Sequence, residues 1–234
     1  VAQNWDADPA LDPYTIVLTR HPDAAPSYMS VTQAGLISYI GMNAAGLAAC
    51  VNTLPAPSRD VGVPHYFSLR TMFEQTSLAA AVNVLASAHR AIPVNIMMTT
   101  PAGPANVEGY IDDVKLLTDE SLLVHTNHCL CPDRTSINDE YPELIQSVPR
   151  LQRMTKLLSD LVPDCKLTIQ QLQSMLSDHE NYPQSICRHQ NADAQHGFWS
   201  TVFSIVMDPT AREMYVSRGN PCEKSFECYD FLDC

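Results

Sequence analysis

The order in which two hydrophobic periods alternate along this chain limits its fold more than any single residue does. Tyr14 to His21, "YTIVLTRH", and Gly35 to Gly41, "GLISYIG", are rich in β-branched and aromatic residues and predict strands. The "MNAAG" that follows predicts a turn with Asn43 and Gly46 at positive φ, and "LAACVNTL" is the return strand of a hairpin. From Tyr66 to Arg90 the period changes: Leu69, Met72 and Phe73, then Leu78, Ala81, Val82 and Leu85, recur at three- and four-residue steps. These are two helices parting near Thr76 and Ser77. Strands resume with "VNIMMTT", "ANVEGYIDDVKLL" and "SLLVHTNH", broken by the turn compositions "PAGP" and "TDE". Helices return over Val148 to Leu161 and Thr168 to His179, the second opened by Thr168 and Gln171 in capping-box spacing. "WSTVFSIVMD", "PTAR" and "EMYVSRG" form a last hairpin. Helices collected in pairs between blocks of strands do not suit a wound parallel sheet. They predict an α+β fold in which helix pairs cover the outer faces of stacked antiparallel sheets, in a single domain over 1–234.

Charge and composition narrow the partners. Fourteen basic against 26 acidic side chains leave a net charge of −12, and no basic run stands out, so nucleic acid and anionic membrane surfaces are not expected partners. No apolar run approaches the roughly 20 residues that span a bilayer, and "VAQNWDADP" has neither the basic start nor the apolar segment of a signal peptide. A cytoplasmic location is favoured over a secreted one. The eight cysteines are too sparse for a small disulfide scaffold. For Cys222, Cys228 and Cys234 in the tail, free or structural thiols come first, disulfides second and zinc third.

The densest polar cluster is "LLVHTNHCLCP", Leu122 to Pro132. Were it a strand, His125, His128, Cys129 and Cys131 would alternate faces and could not converge on one ion, and Cys-x-Cys is not the helix-start redox pair. No metal site is therefore expected there. Asn127 offers an amide that could donate to an oxyanion in acyl transfer. Asp6 in "QNWD", Arg188 in "SICRH" and Asn52 in "CVNTL" each have an ordinary reading, as turn carboxylate, surface cation and satisfied core amide.

Taken in order, "QNWD", "GMNAAGLAACVNTL", "GVPHYFSLRTMFE", "HTNHCL", "PRLQRM", "DHENYPQSICRH" and "TVFSIVMDPTAREMYVSRGNPC" resemble the acyl-coenzyme A:6-aminopenicillanic acid acyltransferase family, which includes the Tan-type β-alanyl-dopamine hydrolases. The resemblance covers nearly the whole chain. It implies a four-layer αββα N-terminal-nucleophile hydrolase, made as a precursor that cleaves itself to expose a cysteine whose thiol attacks and whose own α-amino group is the base. It further implies that Asp6 orients that amine, that Asn127 supplies the oxyanion donor, and that Arg188 lies at the nucleophile pocket, with Asn52 and His128 bordering the oxyanion region. The reaction implied is hydrolysis or transfer of a small acyl group at an amide, without a cofactor or metal. Hydrolysis of an N-acyl amine such as a β-alanyl conjugate comes first, and transfer from a thioester second. The nucleophile is expected upstream of Val1, with the first strand and the smaller precursor fragment as partner. The rival expectation is a catalytically silent relative that serves as a binding or structural protein.

Overall fold

A computed structural model describes residues 1–118, 122–141, 144–161 and 167–231 of the chain. Among the described residues, eleven strands form two sheets, and every pairing between these strands is antiparallel. The smaller sheet has the order β1-β9-β10-β11, from Ala2–Ala7, Ser200–Asp208, Glu213–Arg218 and Phe226–Asp230. The larger runs in chain order through β2 (Thr15–Arg20), β3 (Tyr28–Gln33), β4 (Ile40–Asn43), β5 (Ala48–Thr53), β6 (Val94–Thr100), β7 (Gly103–Gly109) and β8 (Val114–Leu117). The first strand therefore pairs with the ninth, tying the two ends of the described chain into one sheet.

The sheets stack through a shared apolar layer. Trp5 of β1 lies flat on Phe203 of β9 at 5.2 Å between ring centroids and meets Tyr39 edge-on at 6.0 Å. Around them Met29, Val31, Ile40, Met42, Ile96 and Met98 of the large sheet join Ile205, Met207 and Met214 of the small one in a single core. Helices α1 (His65–Met72) and α2 (Leu78–Ser87) bury Leu69, Met72, Ala81 and Leu85 in the same core, with Ser77 capping α2. Next come the short α3 (Ile137–Glu140), then α4 (Ser147–Ser159) and α5 (Ile169–Leu176), the last against β1 and β9. Strand β9 is buried from Ser200 to Met207, as a strand covered on both faces must be. The expected α+β sandwich of antiparallel sheets is what the chain forms, and the capping box of α5 is present, with Thr168 and Gln171 bonded reciprocally.

Three local expectations need correction. The strand expected over Gly35–Gly41 is a turn followed by β4, because Gly35 takes φ +101°; the strand before it, β3, lies in "YMSVTQ". In "MNAAG" only Gly46 has positive φ, at +92°. Asn43 remains in β4, its amide donating to the carbonyls of Phe73 and Gln75 at 2.9 and 2.8 Å, which hooks the hairpin to the end of α1. Third, "SLLVHTNH" contributes no strand: Leu122–His128 runs irregularly past the sheet, and Ser121 lies outside the described residues.

Candidate active site

The irregular path of the "HTNHC" segment has an electrostatic cause. Glu108, fully buried on β7, accepts four hydrogen bonds: from the backbone N–H of Leu130 at 2.6 Å and of Cys131 at 3.2 Å, from the Tyr110 hydroxyl, and from His125 Nε2 at 2.9 Å. The N–H groups of Leu130 and Cys131, spent on the carboxylate, cannot also pair in a strand. Burial opposes the charge, but the bonds from His125, Tyr110 and Leu130 outweigh it and hold the Glu108 carboxyl below the ordinary carboxylate range. His125 Nδ1 meets the Thr126 carbonyl at 2.7 Å. Carbonyl and carboxylate only accept, so each ring nitrogen of His125 stands against an acceptor. Asn138 of α3 brackets the next residue, its amide bonding both the N–H and the C=O of Cys129 at 2.9 Å.

This scaffold presents Asn127. Its N–H donates to Ser147 Oγ at 2.6 Å, its Oδ1 accepts from Arg150 Nη2 at 2.8 Å, and its Nδ2 donates to the Thr53 carbonyl at the end of β5 at 3.0 Å. Arg150 therefore fixes which way the amide faces. His128 does not face the cleft; its Nδ1 lies 2.7 Å from Ser147 Oγ in a buried Thr126–His128–Ser147 cluster at the start of α4. His125 and His128 are thus committed to different partners.

Asp6 and Arg188, 182 positions apart in sequence, are brought face to face. Asp6 sits just past a register shift at which β9 carries one extra residue, Val202; it accepts from Thr201 Oγ1 at 2.7 Å and stands 3.7 Å from Arg188 Nε. Arg188 is not a surface cation: its side chain is fully buried. Its Nη2 donates to the Ile145 carbonyl at 3.0 Å and to Gln146 Oε1 at 2.6 Å, while Nε and Nη1 have no hydrogen-bond partner among the described residues. Burial pushes the guanidinium down from its ordinary value and the Asp6 carboxylate pushes it back up. An arginine stays charged under such opposition. Ile145 and Gln146 both take left-handed backbone, φ 54° and 50°. This turns the Ile145 carbonyl toward two arginines at once, for Arg150 Nε also donates to it at 3.0 Å. Asn127 and Arg188 are thereby joined through one peptide, a link that depends on no spacing visible in the sequence.

Asn52 is part of a relay of amides. Gln3 Nε2 donates to Asn52 Oδ1 at 2.9 Å, Asn52 Nδ2 to Asn95 Oδ1 at 2.9 Å, and Asn95 Nδ2 to Asn106 Oδ1. Each carbonyl accepts from the preceding amide, so the network fixes every orientation. A cleft of about 500 Å³ opens beside it, lined by Gln3, Asn4, Asp6, Asn52, His125, Thr126 and Arg150, with Met154 and Leu158 of α4 and Leu172 and Leu176 of α5 as its apolar wall. That is the scale of a small-ligand pocket. Asp6 and Asn52 line it directly, whereas Asn127, His128 and Arg188 stand behind the lining. Cys50 also borders the cleft, but burial pushes its thiol up to about 12, and burial likewise raises Cys129, so neither is primed to attack. Sequence reasoning did not single out Arg150, Gln146, Thr201 or Glu108. Arg150, in "PRLQRM", and Thr201, at the head of "TVFSIVMDPTAREMYVSRGNPC", stood inside quoted motifs, and Glu108 stood inside a quoted strand stretch.

The architecture is that of N-terminal-nucleophile hydrolases. The whole chain superposes on 82% of penicillin V acylase from Agrobacterium tumefaciens with a TM-score of 0.66 at 15% identity. Some 89% of it superposes on 86% of the Caenorhabditis elegans N-acylethanolamine-hydrolyzing acid amidase ortholog, with a TM-score of 0.56 at 17% identity. Within that class the chain belongs to the acyl-coenzyme A:6-aminopenicillanic acid acyl-transferase family, whose model matches residues 1–223. It is 33% identical over 223 residues to the 40 kDa form of acyl-coenzyme A:6-aminopenicillanic-acid-acyltransferase from Emericella nidulans, a match covering 94% of this chain and 60% of that relative.

Proposed function

We propose that this chain is the body of an amidohydrolase or acyltransferase that cleaves or transfers a small acyl group at an amide bond, with hydrolysis of N-acyl amines such as β-alanyl conjugates as the first substrate class. The observation that carries the reading is the Asp6–Arg188 pair at the edge of the cleft. A buried guanidinium with two donor nitrogens unpartnered among the described residues, facing a carboxylate that lines a pocket, is costly unless it serves a charge that comes and goes there. Family membership supports the acyl chemistry.

In this reading the nucleophile is the thiol of a cysteine upstream of Val1, exposed when a precursor cleaves itself, and its α-amino group takes the thiol proton. The thiolate forms a C–S bond to the acyl carbon while the carbonyl π electrons move to oxygen, where the Asn127 Nδ2 hydrogen not held by the Thr53 carbonyl receives the charge. Collapse of that intermediate expels the amine, which takes the proton back from the ammonium. Water then releases the acyl group from the thioester, or a second amine accepts it. Asp6 orients the ammonium, and Arg188 fixes Asp6 and the field around the thiolate. Asn52, held by Gln3 and Asn95, keeps its polar edge on the cleft.

Intact-mass and N-terminal sequencing of the protein from its full-length gene test this. The expected result is a two-fragment protein whose larger fragment begins with cysteine and releases amine from a β-alanyl amide. A correctly cleaved protein that turns over neither amides nor acyl thioesters would make the chain a silent relative. A protein with no cysteine at a cleaved terminus would remove the nucleophile from the reading.

A further inference from the structure

Around the backbone of Arg188, four metal-ligating side chains converge. His179 follows α5, Cys187 and His189 flank Arg188, and Cys222 follows β10, and their ligand atoms all lie within 4.8 Å of one another. His189 Nε2 is 3.0 Å from His179 Nε2, 3.3 Å from Cys222 Sγ and 3.7 Å from Cys187 Sγ, and the two sulfurs are 3.6 Å apart. One ring nitrogen carries a single hydrogen or a single lone pair, so hydrogen bonding cannot account for three such neighbours. A disulfide would account for the sulfurs but not for two imidazole nitrogens aimed at the same point.

A tetrahedral ion does account for all of them. With Zn–S near 2.3 Å and Zn–N near 2.0–2.1 Å, ideal angles place sulfurs about 3.8 Å apart, sulfur and nitrogen about 3.6 Å apart, and nitrogens about 3.4 Å apart. The surrounding groups fit as well. Asn220 Nδ2 points at Cys187 Sγ from 3.6 Å, an N–H toward a thiolate, and Glu223 Oε1 stands 3.8 Å from the opposite ring nitrogen of His189, Nδ1. Carboxylates and amides in such outer positions orient ligands in metal sites. Two thiolates and two neutral imidazoles neutralise a divalent ion, and tetrahedral S₂N₂ sets suit zinc among available metals.

We infer that His179, Cys187, His189 and Cys222 form a structural zinc site that clasps the turn after α5, the Arg188 segment and the turn after β10 together. The inference stands on these four side chains and is independent of the acyl chemistry. Its four protein ligands leave no open position, so the ion's role is to hold the backbone around Arg188. The sequence reading, which expects no metal, missed it because no short Cys-x-x-Cys pair announces it and the ligands come from three separate segments.

The test uses untagged full-length protein. Mass spectrometric metal analysis after gel filtration is expected to find one zinc per chain, and cobalt in its place is expected to give the intense visible bands of a tetrahedral thiolate site. Cys222→Ser should abolish those bands, Asn220→Ala should weaken zinc binding by about 10–100-fold, and Cys228→Ser should change neither. Wild-type protein that gains no tetrahedral cobalt spectrum, or a non-reducing peptide map joining Cys187 to Cys222, would overturn the site, whether or not the variants fold.

Discussion

Replacing Glu108 by glutamine tests whether its carboxylate is what holds the Asn127 segment in place. Glutamine keeps the shape and one acceptor oxygen but turns the other atom into a donor. On either orientation that donor faces a backbone N–H, of Leu130 or of Cys131, and His125 loses its carboxylate partner. The Tyr110 hydroxyl can rotate and accept; a peptide N–H cannot. One orphaned buried donor costs about 1–3 kcal/mol, and each hydrogen bond to the charged carboxylate is worth about 1.5–3 kcal/mol. Because these overlap, a net loss of about 3–5 kcal/mol is expected, a large share of the roughly 5–15 kcal/mol that stabilises a domain. Urea unfolding measures it, and hydrogen exchange places it: the Leu130 and Cys131 amides should lose protection by a hundredfold or so, the equivalent of about 3 kcal/mol. The pH dependence has a definite sign. The folded carboxyl lies below its unfolded value, so between the two the unfolded chain binds the proton and the folded one does not. The stability that Glu108 contributes is therefore complete above about pH 4.3, and it falls away as pH drops through the folded value. The difference between wild type and Glu108→Gln should shrink over that acid range. A loss under about 1 kcal/mol, or an exchange pattern unchanged at Leu130 and Cys131, would refute the argument.

Other substitutions probe separate parts of the structure. Asp6→Asn should cost about 3–5 kcal/mol in urea unfolding by leaving Arg188 buried without its counter-charge, and adding Arg188→Met should recover part of the loss; no recovery would mean the pair is not coupled. Asn127→Ala should lower kcat by roughly 10² to 10³ with little change in KM, as for removal of one oxyanion donor, and activity within about twofold would reduce the residue to a turn former. Gly41→Ala would set a Cβ 2.1 Å from the Met29 carbonyl oxygen, so β3 and β4 must separate. A loss of about 1–3 kcal/mol or more is expected from thermal unfolding. Thr168→Ala removes the capping box of α5 and should cost about 1 kcal/mol, which a calorimeter reads as a melting shift of about 2–4 °C.

What could be seen in advance followed from the range of the forces involved. The hairpin β9–β10, helices α1 and α2 and the Thr168 cap are decided by neighbours a few positions away, and they were legible as period or spacing. The strand expected over Gly35–Gly41 failed because a single left-handed glycine outweighs the β-branched residues around it. "SLLVHTNH" has the apolar start of a strand, but a carboxylate from β7 claims the N–H groups just beyond it, and nothing local announces that claim. Of the candidate site, Asp6, Asn52, Asn127, His128 and Arg188 were proposed from the order of motifs, not from chemistry readable at any one of them. The burial of Arg188 and the seating of His128 away from the cleft became visible only with the sheets in place. Gln146, Arg150 and Thr201 are ordinary polar residues in sequence. Their importance comes from the long-range contacts that the fold creates.

The peptide at Ile145, whose carbonyl receives both Arg150 and Arg188, also opens helix α4, and that helix lines the cleft with Arg150, Met154 and Leu158 at successive turns. Anyone reshaping the pocket for a bulkier acyl group by editing that face would be pulling on the mounting of the groups proposed to do the chemistry. Substitutions at Met154 or Leu158 should therefore be epistatic with those at Asn127 and Arg188.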